Sequence, residues 1–207
     1  MTPSRRSVQA ALAAAALAAA CGAPKQSWHE AVQPEVFVEV LPRSAALSVD
    51  GTPLGNGARA VPVPDPAHRY LFSASAQGFA TAGRAGEGAR LAGARIGLVL
   101  RPAGFGEARR LELDEPAGLA AAAALLARGG QHQAALEYAE RAVELAPDAP
   151  LGHRVAGDAA LALGRRRRAV HEYSAYLQLA PDAADRDAVE RRVEELRGDL
   201  VIPGRDP

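Results

Sequence analysis

The feature that most constrains this chain is a pentapeptide, Leu-Ala-Pro-Asp-Ala, which occurs at 145–149 and again at 179–183, 34 residues later. Aligning 116–149 with 150–183 gives ten identical positions. A fixed period of this length is typical of helical repeats, in which each unit is a helix pair that cannot bury its apolar face alone. The C-terminal half is therefore predicted to be a stack of helical hairpins.

The repeated positions fall where such a hairpin begins, turns and ends. Pro116 and Pro150 are predicted at the first helical position, where the missing N–H of proline costs nothing. Gly130 and Gly164 mark the turns between the paired helices. Each unit closes at a proline, which forces the residue before it out of the helical region. The second helices carry apolar residues at helical spacing: Leu136, Ala139, Ala142 and Val143, then Val170, Tyr173, Tyr176 and Leu177.

This pattern resembles the tetratricopeptide repeat (TPR) family. The resemblance implies an α-α superhelix of two TPR hairpins, 116–149 and 150–183, and it implies protein binding rather than catalysis. His153 departs from the family pattern, because a bulky apolar residue is expected at that position. A capping helix is predicted at 184–198, and its apolar residues are Ala184, Ala188, Val189, Val193 and Leu196.

The same resemblance implies a partner-binding face on the first helices of the units. The groove is then mostly small and apolar, with Ala117 and Ala120 among its members. The predicted partner-binding residues are Arg128, Leu151, Arg154, Asp158 and Leu161. We expect the charged members to orient an extended peptide or a helix. In a competing interpretation, Arg154 and Asp158 lie four apart on one helix and merely pair with each other in solvent.

Four consecutive arginines, Arg165, Arg166, Arg167 and Arg168, follow the turn glycine of the second unit. Positive charge at the start of a helix opposes the helix dipole by some tenths of a kcal/mol per residue, so helix stability does not explain this run. The run is a possible anionic-surface patch for lipid or for an acidic partner. The alternative is a compositional bias, because all but one of the 24 basic residues are arginine.

The N-terminus has the layout of an export signal. Arg5 and Arg6 precede an uncharged, Ala- and Leu-rich stretch that ends at Cys21, the only cysteine of the chain. This layout resembles a bacterial lipoprotein signal, which implies a signal peptide at 1–20, lipidation of Cys21 and a tether at 21–35. The expected location is the bacterial cell envelope, on the periplasmic side of the outer membrane. An ordinary cleaved signal is the alternative.

Residues 36–102 alternate between apolar and polar in the manner of strands. Strands are predicted at 36–40, 46–49, 70–74 and 96–100, with a turn at Asp50-Gly51 and a Gly- and Ala-rich loop at 80–94. Gly104 and Gly106 then predict a linker at 103–115 that is open to proteases. The predicted fold class is α+β, with a small β-domain before the helical repeats.

The segment 42–51 resembles the name-giving motif of the PEGA domain, a small envelope β-domain. Gly55, the His68-Arg69-Tyr70 segment and Gly78-Phe79 follow in the family's order, whereas Ser44 replaces the glycine of the motif. The resemblance implies a small antiparallel β-sandwich over 36–102. An immunoglobulin-like sandwich of another family is the competing interpretation.

No arrangement of residues indicates an active site. The five histidines have no metal-ligand spacing, and the sequence contains no nucleophile elbow. We therefore predict no catalytic residues, no metal, no cofactor and no small-molecule substrate. The chain without residues 1–20 has 22 basic and 24 acidic residues, a net charge of about −2, and this balance gives no reason to expect nucleic acid as a partner.

These observations favour a lipid-anchored envelope scaffold, not an enzyme, that binds protein partners through its repeats and the membrane through its anchor. A first alternative is a module that binds the cell wall or a surface glycan through the β-domain. A second alternative is an accessory subunit of an envelope enzyme.

Overall fold

Period-two alternation produces the strands of the N-terminal half in the computed structural model, which describes residues 33–201. Strand β1 (Glu35–Leu41) directs Val36, Val38 and Val40 into the core. The other strands are β2 (Ala46–Val49), β3 (Thr52–Asn56), β4 (Arg59–Pro62), β5 (Arg69–Ser75), β6 (Phe79–Ala80), β7 (Ala82–Glu87), β8 (Arg95–Val99) and β9 (Arg101–Pro102). The predicted signal peptide at 1–20 and Cys21 lie outside the described residues.

The strands form two sheets and a short pair. The first sheet has the order β4-β1-β8, the second has the order β3-β2-β5-β7, and β6 pairs with β9. Strands β1 and β8 are parallel, so the all-antiparallel prediction is wrong for this pair. Both sheets contribute to one buried cluster that includes Val38, Phe72 and Leu98. The predicted strands at 36–40, 46–49, 70–74 and 96–100 are confirmed within one residue of each boundary.

The segment predicted as a loop at 80–94 contains regular structure, and that prediction is wrong. Strand β7 pairs with β5 along its whole length, from Arg69 opposite Glu87 to Ala74 opposite Ala82, and helix α1 (Gly88–Leu91) follows. Main-chain N–H and C=O groups form the ladder whatever the side chains are. A Gly- and Ala-rich segment without alternation can therefore pair when an open strand edge lies beside it.

The helical half consists of α2 (Pro116–Arg128), α3 (His132–Leu145), α4 (Pro150–Ala162), α5 (Arg166–Leu179) and α6 (Arg186–Val201). Each boundary of α4 and α5 lies 34 residues after the matching boundary of α2 and α3. Gly130 and Gly164 have positive φ angles of 75° and 71°, which glycine adopts without strain, and both close the turns as predicted. Each helix packs against the next, and α2 also packs against α4. The α+β class is thus confirmed.

Helix α6 covers the end of the helical core with Val189, Val193 and Leu196, as predicted for a capping helix. Ala184 and Ala188 are exposed, so they were wrongly predicted to face the core. The helix begins only at Arg186, and one stripe along it meets α5.

The segment 103–115 is packed and partly helical. It contains a 3₁₀ helix (Gly106–Arg110), in which Ala108 is fully buried. The Arg101 guanidinium donates to the carbonyl oxygen of Leu111 at 2.7 Å and to that of Ala108. The described residues belong to one compact unit. The domain boundaries at 102 and 116 stay a prediction.

Candidate functional site: an apolar groove in the helical half

An apolar groove of about 320 Å³ opens where the starts of α2 and α4 meet the end of α3. Glu115 is its one charged lining residue within the described part of the chain. Leu151 stands at the groove with 49% of its surface exposed. The remaining lining residues are Pro116, Ala117, Ala120, Ala142, Ala146, Ala149, Pro150 and Gly152. A floor of such small residues leaves room for an apolar side chain from another molecule.

The structure brings together only some of the predicted partner-binding residues. Leu151 lines the groove with the two alanines of the predicted face, Ala117 and Ala120. Arg128 lies elsewhere and forms an exposed ion pair with Glu107 at 3.1 Å. Leu161 is half-buried against the helical core, outside the groove.

Arg154 is engaged within the molecule. Its Nε donates to Asp185 Oδ2 at 2.8 Å, and its Nη1 forms an ion pair with Asp158. The guanidinium lies over the rings of Tyr173 and Tyr176, 5.5 and 5.9 Å from their centroids. Burial opposes the charge, but the hydrogen bonds to the two carboxylates outweigh it and raise the pKa of Arg154. Arg154 therefore joins α4 to α5 and to the start of α6.

Two tyrosine hydroxyls complete this cluster. Tyr173 donates to Asp158 Oδ1 at 2.7 Å, and Tyr176 donates to Asp185 Oδ1 at 2.5 Å. Hydrogen bonds from Tyr176 and Arg154 hold the pKa of Asp185 below its ordinary value. Burial, followed by the hydrogen bond to Asp158, raises the pKa of Tyr173. The helical spacing predicted that both tyrosines lie on the apolar face of α5. A buried tyrosine hydroxyl usually needs a hydrogen-bond partner, and this requirement could have indicated the polar cluster from the sequence.

His153, which departs from the repeat pattern, is buried in a second polar network. Its Nδ1 lies 2.8 Å from Glu172 Oε2, and its Nε2 lies 3.0 Å from the carbonyl oxygen of Pro147. Glu172 is 2% exposed and also forms an ion pair with Arg168, whose Nε lies 2.7 Å from Glu172 Oε1. A polar residue is tolerated at this apolar position because the neighbouring helix supplies its partner.

The arginine run also makes contacts inside the helical half. Arg168 pairs with Glu140 of α3 at 3.4 Å as well as with Glu172, and Arg165 donates to Gln133 at 2.8 Å. These contacts join the first hairpin to the second, and they give two of the four arginines a structural role at the start of α5. The anionic-surface role of the run stays a prediction.

In the β-half, two residues of the PEGA-like pattern meet. His68 Nε2 lies 2.9 Å from Asp50 Oδ2, and the Leu71 N–H donates to Asp50 Oδ1 at 2.8 Å. The Leu71 N–H, and then His68, hold the pKa of Asp50 below its ordinary value. Asp50 and Gly51 both have positive φ and form the β2–β3 turn, so this contact fixes a hairpin to β5.

No protein-family model matches the chain, and no curated protein matches it. Within residues 33–201, no three His, Cys, Asp or Glu side chains are placed to hold a metal ion. None of the helices in that part of the chain has the length and apolar character needed to cross a membrane.

Proposed function

We propose that this chain is a lipid-anchored scaffold of a bacterial envelope that binds protein partners through TPR-like hairpins. The anchor is Cys21, and the partner-binding site is the groove at Leu151. The partner contributes an extended peptide or a helix whose apolar side chain enters the groove.

The groove is the observation that carries this proposal. A half-exposed leucine beside a cavity lined almost wholly by alanine, proline and glycine leaves apolar surface in contact with water. Burying such surface is favourable by roughly 25 cal/mol per Å². The matched boundaries of the two hairpins and their shared turn geometry support the TPR-like assignment.

A photo-crosslinking amino acid at position 151 tests the groove in intact cells. We expect covalent adducts with a small, reproducible set of envelope proteins, identified by mass spectrometry. The matched control is the same amino acid at position 71, because Leu71 is 51% exposed but lies on β5. In a second arm, the crosslinking amino acid replaces Ala117, which lines the same groove, so that Leu151 can be changed. Leu151→Asp should then abolish the adducts formed from position 117. Equal adduct patterns from positions 151 and 71 would remove the groove from consideration.

The anchor is tested separately with Cys21→Ser. Acyl chains contribute about 0.8 kcal/mol per buried methylene, so the protein with Cys21 should be in the membrane fraction and the variant in the soluble fraction. Metabolic labelling with a palmitate analogue should mark only the protein with Cys21. Label that persists in the variant would contradict lipidation at Cys21.

A further inference from the structure

A second concavity, of about 410 Å³, lies in the β-half, where the edge strands β7 and β8 approach each other beside α1. The charged residues that line it are Arg69, Arg84, Arg90, Arg95 and Glu87. The other lining residues include the apolar residues Leu91, Ala94 and Ile96. We call this concavity the arginine pocket.

The four arginines of the pocket come from four elements, β5, β7, α1 and β8, so only the folded chain brings them together. They are four of the seven arginines between residues 36 and 102. An arginine-rich composition explains why the β-half contains seven arginines. It does not explain why four of them line one cavity.

The charge of the pocket is only partly neutralised by the protein. Four arginines and one glutamate give the lining a net charge of +3. Arg90 pairs with Glu87 at 3.7 Å, and Arg95 pairs with Glu39 at 3.4 Å. The two arginine side chains of these pairs are 84% and 76% exposed, so water weakens both pairs. The side chains of Arg69 and Arg84 form no hydrogen bond or ion pair with any residue in 33–201. An anion in the pocket would balance this excess of positive charge.

We propose that the arginine pocket binds a phosphate group, carried either by a soluble molecule or by a lipid headgroup. Guanidinium groups offer pairs of parallel N–H donors that match the oxygens of phosphate. When Glu39, the partner of Arg95, is counted with the lining, a net charge of +2 remains, and this charge suits a multiply charged phosphate better than a single carboxylate. The Arg95 guanidinium also lies over the Phe37 ring, 4.9 Å from its centroid, which restricts its movement. This site is independent of the groove at Leu151.

Calorimetric titration of the full chain with pyrophosphate tests the proposal at low salt. Cys21→Ser is introduced so that no lipid anchor contributes. We expect saturable one-to-one binding, and loss of about tenfold or more of the affinity in the double variant Arg69→Gln/Arg84→Gln. The matched control is Arg109→Gln/Arg110→Gln, which removes the same charge from exposed positions of the 3₁₀ helix. Its affinity should stay within about twofold, because exposed charges at a distance are screened.

Three results would overturn the proposal: no saturable binding of pyrophosphate, an equal loss of affinity in both double variants, or a tricarboxylate bound as tightly as pyrophosphate. Vesicles then identify the source of the phosphate. Binding to phosphatidylglycerol vesicles but not to phosphatidylcholine vesicles, sensitive to Arg69→Gln/Arg84→Gln, supports a lipid headgroup. Pyrophosphate binding without vesicle binding supports a soluble phosphorylated ligand.

Discussion

Gly157 lets a buried tyrosine ring lie directly against α4. A Cβ atom at this position would lie 2.5 Å from both Cδ1 and Cε1 of Tyr173, which is fully buried and held by its hydrogen bond to Asp158. In Gly157→Ala, overpacking should outweigh the gain in helix propensity and destabilise the fold by about 1–2 kcal/mol in urea unfolding. Gly198→Ala is the control, because open space surrounds that helical glycine, and it should stabilise by up to about 1 kcal/mol.

Asp50 gives the β-half a pH dependence with a definite sign. The pKa of Asp50 is lower in the folded state than in the unfolded state, so the unfolded state binds a proton first as the pH falls. The ionised carboxylate therefore stabilises the fold above the ordinary pKa range of Asp. This stabilisation is lost as the pH falls through and below that range. Asp50→Asn keeps a residue that tolerates positive φ but cannot ionise. We expect the variant to show a shallower fall in unfolding free energy below about pH 4. An unchanged slope, equal to that of the exposed control Asp114→Asn, would show that the carboxylate makes no such contribution.

At the scale of elements, polar clusters hold consecutive helices in place. The cluster around Arg154 joins α4, α5 and α6, and the cluster around Glu172 joins α3, α4 and α5. Ten of the 21 buried residues in the apolar core of this half are alanine. Small side chains bury little area each, so the polar clusters supply specific contacts between helices whose apolar surfaces are nearly alike.

Removing the Arg154 side chain should therefore weaken the packing of α6. Arg154→Ala leaves Asp158 and Asp185 without their cation and should cost about 2 kcal/mol of unfolding free energy. Hydrogen exchange should rise first in α6. Arg141→Ala is the matched control, because within residues 33–201 Arg141 pairs only with Glu144 one helical turn away, and it should cost a few tenths of a kcal/mol. Equal costs for the two variants would favour the simple surface-pair interpretation of Arg154 and Asp158.

At the scale of the whole molecule, Tyr138 links the sheets to the helices. This fully buried residue of α3 donates its hydroxyl proton toward the carbonyl oxygens of Leu41, at the end of β1, and of Leu100, directly after β8. Its ring stacks on Phe79 with centroids 6.2 Å apart, and Glu137 beside it accepts a hydrogen bond from the Arg43 N–H at 2.7 Å. These contacts favour cooperative unfolding of the two halves.

Hydrogen exchange measured by mass spectrometry tests this coupling. The most protected peptides of 36–102 and of 116–198 should open with the same free energy, and Tyr138→Phe should lower it in both halves by about 1 kcal/mol. Tyr70→Phe is the control, because the Tyr70 hydroxyl accepts a hydrogen bond from Asp65 inside the β-half. Two well-separated opening free energies in the unmodified chain would show that the halves unfold independently.

The junction between the halves leads to a further prediction. The sequence predicted a linker open to proteases at 103–115, whereas Arg101 fixes the main chain there through two carbonyl groups. We expect trypsin to cut the bond between Arg109 and Arg110 slowly in the folded protein. In Arg101→Gln the rate should rise about tenfold or more, because local opening no longer breaks two charge-assisted hydrogen bonds. Arg43→Gln, at an exposed arginine outside this segment, should leave the rate unchanged.

The sequence by itself determined the secondary structure that depends on local rules. The 34-residue period, the prolines at the first helical position and the turn glycines located the starts and the turns of both hairpins, because main-chain sterics act over a few neighbours. Alternation located β1, β2, β5 and β8 for a similar reason. The same rules missed β7, whose Gly- and Ala-rich segment carries no periodic signal and forms a strand only because β5 offers it an edge.

Only the tertiary structure decided which side chains meet. Arg154 was predicted to face a partner, but Asp185, 31 positions later, lies within hydrogen-bonding distance once α6 docks. The arginine pocket likewise combines residues from four elements, and their proximity depends on the order of strands in two sheets. A local pattern fixes the direction of a side chain relative to its own helix or strand, whereas its partner is fixed by long-range packing that no local pattern encodes.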